Sequence, residues 1–205
     1  MTAKLLMSLS FLLTCLTSHA DGFLGIDHRL NFDNSGIWSR KNQLGLELGS
    51  AAIVVGGALW EGNDTRLGQT FWRASESMVT AGALAQAGKL AFRRQRPIDG
   101  NDPNAWFQSS AHNKSFPSGE VTHITAIVTP FIAEYSHDNP AVWALAALPL
   151  YDGVARMKSQ AHWQTDVLAG VALGVGAGLY AGNEKHNWLV QSLPGGLSIG
   201  YKKSF

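Results

Sequence analysis

Three short clusters in this chain place charged, nucleophilic and small residues at spacings that chemistry can use. The first holds Lys89, Arg93, Arg94 and Arg96, with Pro97 after them. On a helix, positions 89, 93 and 96 share one face, because neighbours three and four apart lie on the same side. Three cations on one stripe repel each other, and inside a cleft they call for an anion. Phosphate is the natural candidate, since guanidinium forks match its oxygens. By itself the cluster also fits a solvated basic helix end at the negative pole of the helix dipole. The second runs from Ser115 through Phe116, Pro117, Ser118 and Gly119 to Glu120. A proline-opened helix start leaves free backbone N–H groups; Gly119 lets a ligand come close and Ser118 adds a hydroxyl, which makes an anion cradle. By itself this is also an ordinary helix start. The third holds Arg156, His162 and Asp166. One helical turn brings the Asp166 carboxylate to the His162 imidazole, holding one ring nitrogen as a donor and leaving the other with a free lone pair. Such a histidine is a nucleophile or a general base. The bland alternative is a surface pair of small energetic weight.

The elements that must position these clusters read as helices. Leu44 to Trp60 is apolar apart from Glu47 and reads as a buried helix. Thr70 to Phe92 carries small and apolar residues at helical spacing and should continue until Pro97 stops it. A long polar loop over residues 98–115 follows. Val121 to Tyr135 continues the proline-led start, with a kink expected at Pro130. Ala141 to Met157 is interrupted by Pro149, and His162 to Ala181 is a last long helix whose Gly and Ala content allows close contacts. Leu197 to Tyr201 alternates like a short strand. The class is therefore all-α, a bundle of about five or six helices with a short C-terminal β-like extension. Most uninterrupted apolar runs fall short of the ~18–20 residues of a bilayer span, which favours a soluble or peripheral protein.

The order Lys89-x6-Arg96-Pro97, then Pro117-Ser118-Gly119, then Arg156-x5-His162-x3-Asp166 resembles the signature of the type 2 phosphatidic acid phosphatase (PAP2) superfamily. That superfamily includes bacterial acid phosphatases, lipid phosphatases and vanadium haloperoxidases. The resemblance covers roughly residues 70–182. It implies that His162 attacks phosphorus and forms a phosphohistidine, that Asp166 orients it, and that Lys89, Arg96 and Arg156 bind the non-bridging oxygens. Ser118 and the N–H of Gly119 would complete the cradle. Phosphoryl transfer needs mainly positioning and charge stabilisation, so cations and helix N–H groups can serve without a metal or other cofactor.

Two positions depart from the pattern. Ala155 stands where the family usually has Ser. Glu120 stands where it usually has a second histidine, the proton donor to the leaving group. Glu120 could serve only with a raised pKa, and nearby cations oppose that. His123, one turn along, is the favoured substitute acid; His112 is another candidate. Alternatively, Glu120 pairs with His123 or Arg93 and gates the site. A missing acid would favour good leaving groups such as a diphosphate. Arg93 is a candidate contact for a second phosphate, Arg94 is an extra cation, and Trp106, Phe107 and Phe116 are candidates to line an apolar entrance for a lipid tail.

The reading is thus a phosphatase acting on phosphate monoesters or diphosphates, with a lipid phosphate or diphosphate favoured. A vanadate-dependent haloperoxidase-like protein and a non-catalytic anion binder are the alternatives. The 205-residue chain has a formal net charge of +1, which argues against broad binding to nucleic acid. A single cysteine, Cys15, excludes an intrachain disulfide. Lys4, the apolar run Leu5 to Thr17 and the small residues Ser18 and Ala20 describe a signal peptide over residues 1–20. The expected organisation is that signal, a helical domain over 21–186, and an extension over 187–205 that suggests a hairpin. The product would be periplasmic or envelope-associated, with membrane association open.

Overall fold

The computed structural model describes residues 22–110, 112–183, 188–193 and 196–201. The expected signal peptide lies outside them. Five helices are present among the described residues: α1 (Arg40–Glu61), α2 (Arg66–Phe92), α3 (Gly119–Tyr135), α4 (Ala147–Lys158) and α5 (Gln164–Asn183). Two strands, β1 (Trp188–Leu193) and β2 (Gly196–Tyr201), pair antiparallel with Trp188 opposite Tyr201 and Leu193 opposite Gly196. The all-α class is as the residues suggest.

Helix α3 is the centre of the bundle and touches each of the other four helices. Its run from Val121 to Pro130 is buried except at His123. Pro130 does not end it; the helix continues to Tyr135. Small residues set the close spacing: Ala81 of α2, Ala126 of α3 and Ala177 of α5 form one buried cluster. Pro149 falls in the first turn of α4, where a missing N–H costs no intrahelical bond. The segment before it, Pro140–Ala146, is a 3₁₀ turn rather than part of that helix.

Helix α2 differs from expectation where the first cluster lies. It opens at Thr65, whose hydroxyl accepts from the Gly68 N–H at 2.9 Å. It ends at Phe92, four residues before Arg96, because Arg93 turns into the left-handed region at φ 39° while its N–H still donates to the Lys89 carbonyl. Lys89, Arg93 and Arg96 therefore do not share a helix face. Arg93 is exposed, Arg94 is fully buried, and Arg96 is reached by extended chain leading to Pro97.

The outer surface bears on the expectation of a soluble or peripheral protein, and favours membrane association. Helix α1 and the Gln164–Gly182 stretch of α5 are each long and apolar enough to cross a membrane, and only 17% of the most apolar window of α1 is buried. The helices outrun the uninterrupted apolar runs because α1 carries polar residues inside its length. Two of those polar residues face inward: Gln43 is fully buried and Glu47 is bonded to His123. Leu44, Leu48, Ile53, Val55, Leu59 and Trp60 face outward. So many large apolar side chains on one exposed helix form a patch that a water-facing helix rarely carries, and it fits association with a membrane.

Candidate active site

His162 lies in the turn just before α5 and is almost fully buried. Its Nδ1 is 2.6 Å from the carbonyl oxygen of Ser115. An Nδ1–H donated there fixes the tautomer and leaves Nε2 with its lone pair. The expected partner, Asp166, is 3.7 Å from Nδ1, beyond hydrogen-bond distance. It acts as a nearby charge, because its oxygens are already occupied. Oδ1 accepts from Arg94 at 2.6 Å; Oδ2 accepts from the Ser115 hydroxyl at 2.5 Å and from the Trp163 N–H at 2.8 Å. Asp166 thus holds the Ser115 segment whose carbonyl in turn holds the imidazole. Burial first, and the charges of Lys89 and Arg156 with it, push the His162 pKa down to about 3 against the opposing pull of Asp166. The ring is neutral at neutral pH.

The cradle cluster meets this ring from α3. The Ser118 N–H donates to the Asp166 carbonyl at 3.0 Å, which ties the start of α3 to the first turn of α5. The Ser118 hydroxyl is buried and has no hydrogen-bond partner among the described residues. Lys89 arrives from α2, its ammonium donating to the carbonyls of Pro117 at 2.7 Å and Lys114 at 3.0 Å. Burial, then the charge of Arg96, lowers its pKa to about 8. A methyl group on Gly119 would stand 3.3 Å from Lys89 Cε, so the glycine lets the lysine stem lie against the helix start. Gly88 does the same one residue earlier, where a Cβ would meet Pro117 Cδ at 2.8 Å.

Arg156 reaches the same place from α4. Its Nη1 donates to Gln43 Oε1 at 2.9 Å, and its buried Nε has no hydrogen-bond partner among the described residues. Glu120 is bonded to Arg40 of α1 at 2.5 Å and lies 3.4 Å from Arg156. The expected pairings of Glu120 with His123 or Arg93 do not form. His123 instead bonds Glu47 at 2.8 Å, and its Nε2 faces Gly82 of α2. His112 is exposed in its loop. The structure thus brings Lys89, Ser118, Gly119, Glu120, Arg156, His162 and Asp166 to one end of the bundle. Arg96, half-buried, adds its charge to Lys89.

Sequence reasoning missed the residues that brace this site. Arg94 is not a spare cation: it is fully buried between two carboxylates, Asp27 and Asp166, each at 2.6 Å. Thr165 joins them, donating its N–H and its hydroxyl to Asp27 at 2.8 and 2.7 Å. Arg94 also donates to the Pro103 carbonyl and stacks on Trp106 at 4.3 Å. Gln43, which holds Arg156, gave no local signal either. Beside the cradle, Phe92, Trp106, Phe107 and Phe116 pack in a cluster, mostly edge to face. With Leu24 and Leu168 they line an apolar cavity of about 620 Å³.

The PAP2 superfamily sequence profile matches residues 70–186. The chain is similar to a lipid A 1-phosphatase of Porphyromonas gingivalis, 30% identical over 128 residues, 61% of this chain and 26% of that protein. It is also similar to a lipid A 1-phosphatase of Rhizobium etli, 32% identical over 102 residues, 48% of this chain and 43% of that protein. It therefore spans less than half the length of these relatives. The crystal structure of Aquifex aeolicus LpxE aligns with a TM-score of 0.45 and 18% identity, covering 68% of this chain and 82% of that one. The profile takes in more than half of the chain and all three clusters, from Lys89 to Asp166, so the chain belongs to the PAP2 superfamily.

Proposed function

We propose that this chain is an exported, metal-independent phosphatase that removes a phosphate from an envelope lipid through a phosphohistidine intermediate. Nε2 of His162 attacks phosphorus. Lys89, Arg96 and Arg156 take the non-bridging oxygens, with Ser118 and the Gly119 N–H closing the cradle. Water then hydrolyses the intermediate and restores the Nε2 lone pair. Preorganised donors of this kind stabilise the charge that develops on phosphorus. One observation carries the reading. The buried donors without a hydrogen-bond partner among the described residues include the Ser118 hydroxyl and the Arg156 Nε. Ser118 opens α3 beside Asp166, and Arg156 is one of the charges that act on His162. Buried donors without partners are costly, and an oxyanion would satisfy both.

Lipid is favoured as substrate for three reasons: the apolar cavity beside the cradle, the outward apolar face of α1, and relatives named lipid A 1-phosphatase. A signal over residues 1–20 would deliver the domain to the periplasm. The test is phosphate release by the purified full chain in detergent from lipid A, a prenyl diphosphate and a soluble aryl phosphate, with His162→Ala as control. Expected is release that falls by on the order of 10³-fold or more in the variant. Protein-bound phosphate should survive alkaline quench and be lost in acid, as phosphohistidine is. Absent release, or release indifferent to His162→Ala, overturns the proposal.

A further inference from the structure

The turn that carries His162, between α4 and α5, is gripped from both sides by a segment that lies before the bundle. Residues 27–33 precede α1 and run past this turn with neither helix nor strand. On the side after His162 they hold the start of α5. Asp27 accepts both donors of Thr165, the N–H at 2.8 Å and the hydroxyl at 2.7 Å. The Gln164 side chain accepts the His28 N–H at 3.0 Å and donates to the His28 carbonyl at 2.9 Å. On the side before His162 they hold the end of α4 and the turn itself. The Gln160 side chain donates to the Leu30 carbonyl at 2.7 Å and accepts from Arg29 at 2.8 Å, while the Asp33 N–H donates to the Lys158 carbonyl at 3.0 Å. Two features of the turn need such a grip. Helix α5 begins at Gln164, and Trp163 before it has no side-chain oxygen to accept the Thr165 N–H. Asp27 supplies that cap from a distant part of the chain. Gln160 has a Cβ and yet stands at φ 52°, in the left-handed region, a conformation that persists where surrounding contacts fix it.

We infer that residues 27–33 are a strap that positions the nucleophile, with Asp27 as its positioning residue, holding the His162 turn between Thr165 on one flank and Gln160 on the other. This rests on the phosphatase reading above. The strap lies upstream of residues 70–186, the part of the chain that the superfamily profile matches. Asp27 also accepts from Arg94 at 2.6 Å, and Arg94 holds Asp166, so the same carboxylate reaches the site by a second route. Among the described residues, the strap's hydrogen bonds go to none of Lys89, Arg96, Arg156, Ser118 and Gly119, the groups assigned to the phosphate oxygens. The strap therefore governs where Nε2 stands relative to phosphorus, and leaves the grip on the phosphate to other elements. Loosening it should slow the chemical step without weakening the binding of phosphate.

The experiment uses the full chain in detergent and compares wild type, Asp27→Asn and Arg29→Met on 4-nitrophenyl phosphate. It reads KM, the inhibition constant of inorganic phosphate, and the single-turnover rate at which phosphate becomes protein-bound. The amount bound per chain counts the folded sites, so slow chemistry is separated from loss of folded protein. A displacement of about 1 Å at the reacting atoms costs on the order of 10²-fold in rate. Asp27→Asn should slow the step about 10- to 100-fold, with KM and the phosphate constant within about 3-fold of wild type. Arg29→Met loosens only the Gln160 flank and should slow it about 3- to 10-fold. A rate that falls only as the bound amount falls would mark a merely structural role and overturn the inference, as would unchanged rates in both variants. Should Asp27→Asn fail to fold, Arg29→Met decides by the same criteria. Nitrogen-15 spectra of the histidine rings give a readout that needs no turnover. The Nδ1–H of His162, identified by its loss in His162→Ala, should exchange slowly with solvent in wild type and faster in Asp27→Asn. Unchanged exchange beside His162-dependent release in wild type overturns the strap alone. A wild type without His162-dependent release overturns the phosphatase reading, and the strap then stands or falls on whether Asp27→Asn alters that exchange.

Discussion

Asp166 has no oxygen to spare, and that decides what it can do for His162. Arg94 takes one oxygen, and the Ser115 hydroxyl and the Trp163 amide take the other. The carboxylate orients the imidazole at one remove, by fixing the Ser115 carbonyl that accepts from Nδ1. Arg94 in turn is the only charge bonded between Asp27 and Asp166 among the described residues. Replacing Arg94 by Met leaves two buried carboxylates without their cation. Breaking a buried pair on one side costs about 3–5 kcal/mol, and chemical denaturation should find Arg94→Met destabilised by that much. Asp27→Asn, which leaves the Arg94–Asp166 pair intact, should cost clearly less. An Arg94→Met protein as stable as wild type would remove this network from the account of the site. Lys89, Arg156 and His162 could be singled out from the sequence because their spacing repeats a pattern that phosphate chemistry imposes. Asp27, Gln43 and Arg94 could not, since Arg94, Arg156 and Asp166, their respective partners, lie 67, 113 and 72 positions away along the chain. Nothing local distinguishes a buried, paired arginine from the exposed one beside it.

The helices were legible in outline and misread at their ends, for a reason that lies in backbone rather than in pattern. Apolar periodicity finds α1 to α5, but it does not report that Arg93 takes a left-handed conformation and stops α2 early. The Gly and Ala content of α5 does forecast close packing, and the contact shows how close. Gly170, Gly174 and Gly178 recur every fourth residue on the side facing α3. A Cβ on Gly174 would stand 2.7 Å from the Thr122 carbonyl and 2.9 Å from the Ala126 nitrogen, both backbone atoms of α3. Backbone cannot swing aside, so the two helices would have to separate. The start of α3, with Ser118 bonded to Asp166, would move with them. Gly174→Ala gains about 1 kcal/mol of helix propensity but pays an overpacking penalty of about 1–3 kcal/mol. The net expectation is a lower melting temperature together with a fall in kcat on every substrate. Gly176→Ala is the control, because nothing lies within 4 Å of a Cβ there and propensity alone should act. A Gly174→Ala variant stabilised as much as Gly176→Ala would mean that the α3–α5 contact is not under this constraint.

At the scale of the molecule, the polar end of the bundle and its apolar flank meet at one place. Phe116 precedes the cis peptide bond to Pro117 that leads into the cradle, and Thr165 neighbours Asp166; both line the 620 Å³ cavity. An amphiphile lying there would have its phosphate at the cations and its chains against Phe92, Trp106 and Leu168. The outward apolar face of α1 would hold the domain at the surface where such molecules reside. Leu168 separates these functions, because it lines the cavity, is half exposed, and has no hydrogen bond or charge to lose. Putting a polar amide there removes apolar contact worth about 1–2 kcal/mol for a buried chain. Leu168→Gln should therefore raise KM about 5- to 30-fold for a long-chain lipid phosphate at fixed detergent. It should leave KM and kcat for a short soluble phosphate ester as they are. Equal effects on both substrates would mean that the mutation disturbs α5 rather than a chain site. No effect on either would mean that the lipid chains lie elsewhere, which leaves the 400 Å³ apolar cavity between α3, α4 and α5, lined by Val128, Trp143 and Leu179, as the next place to probe.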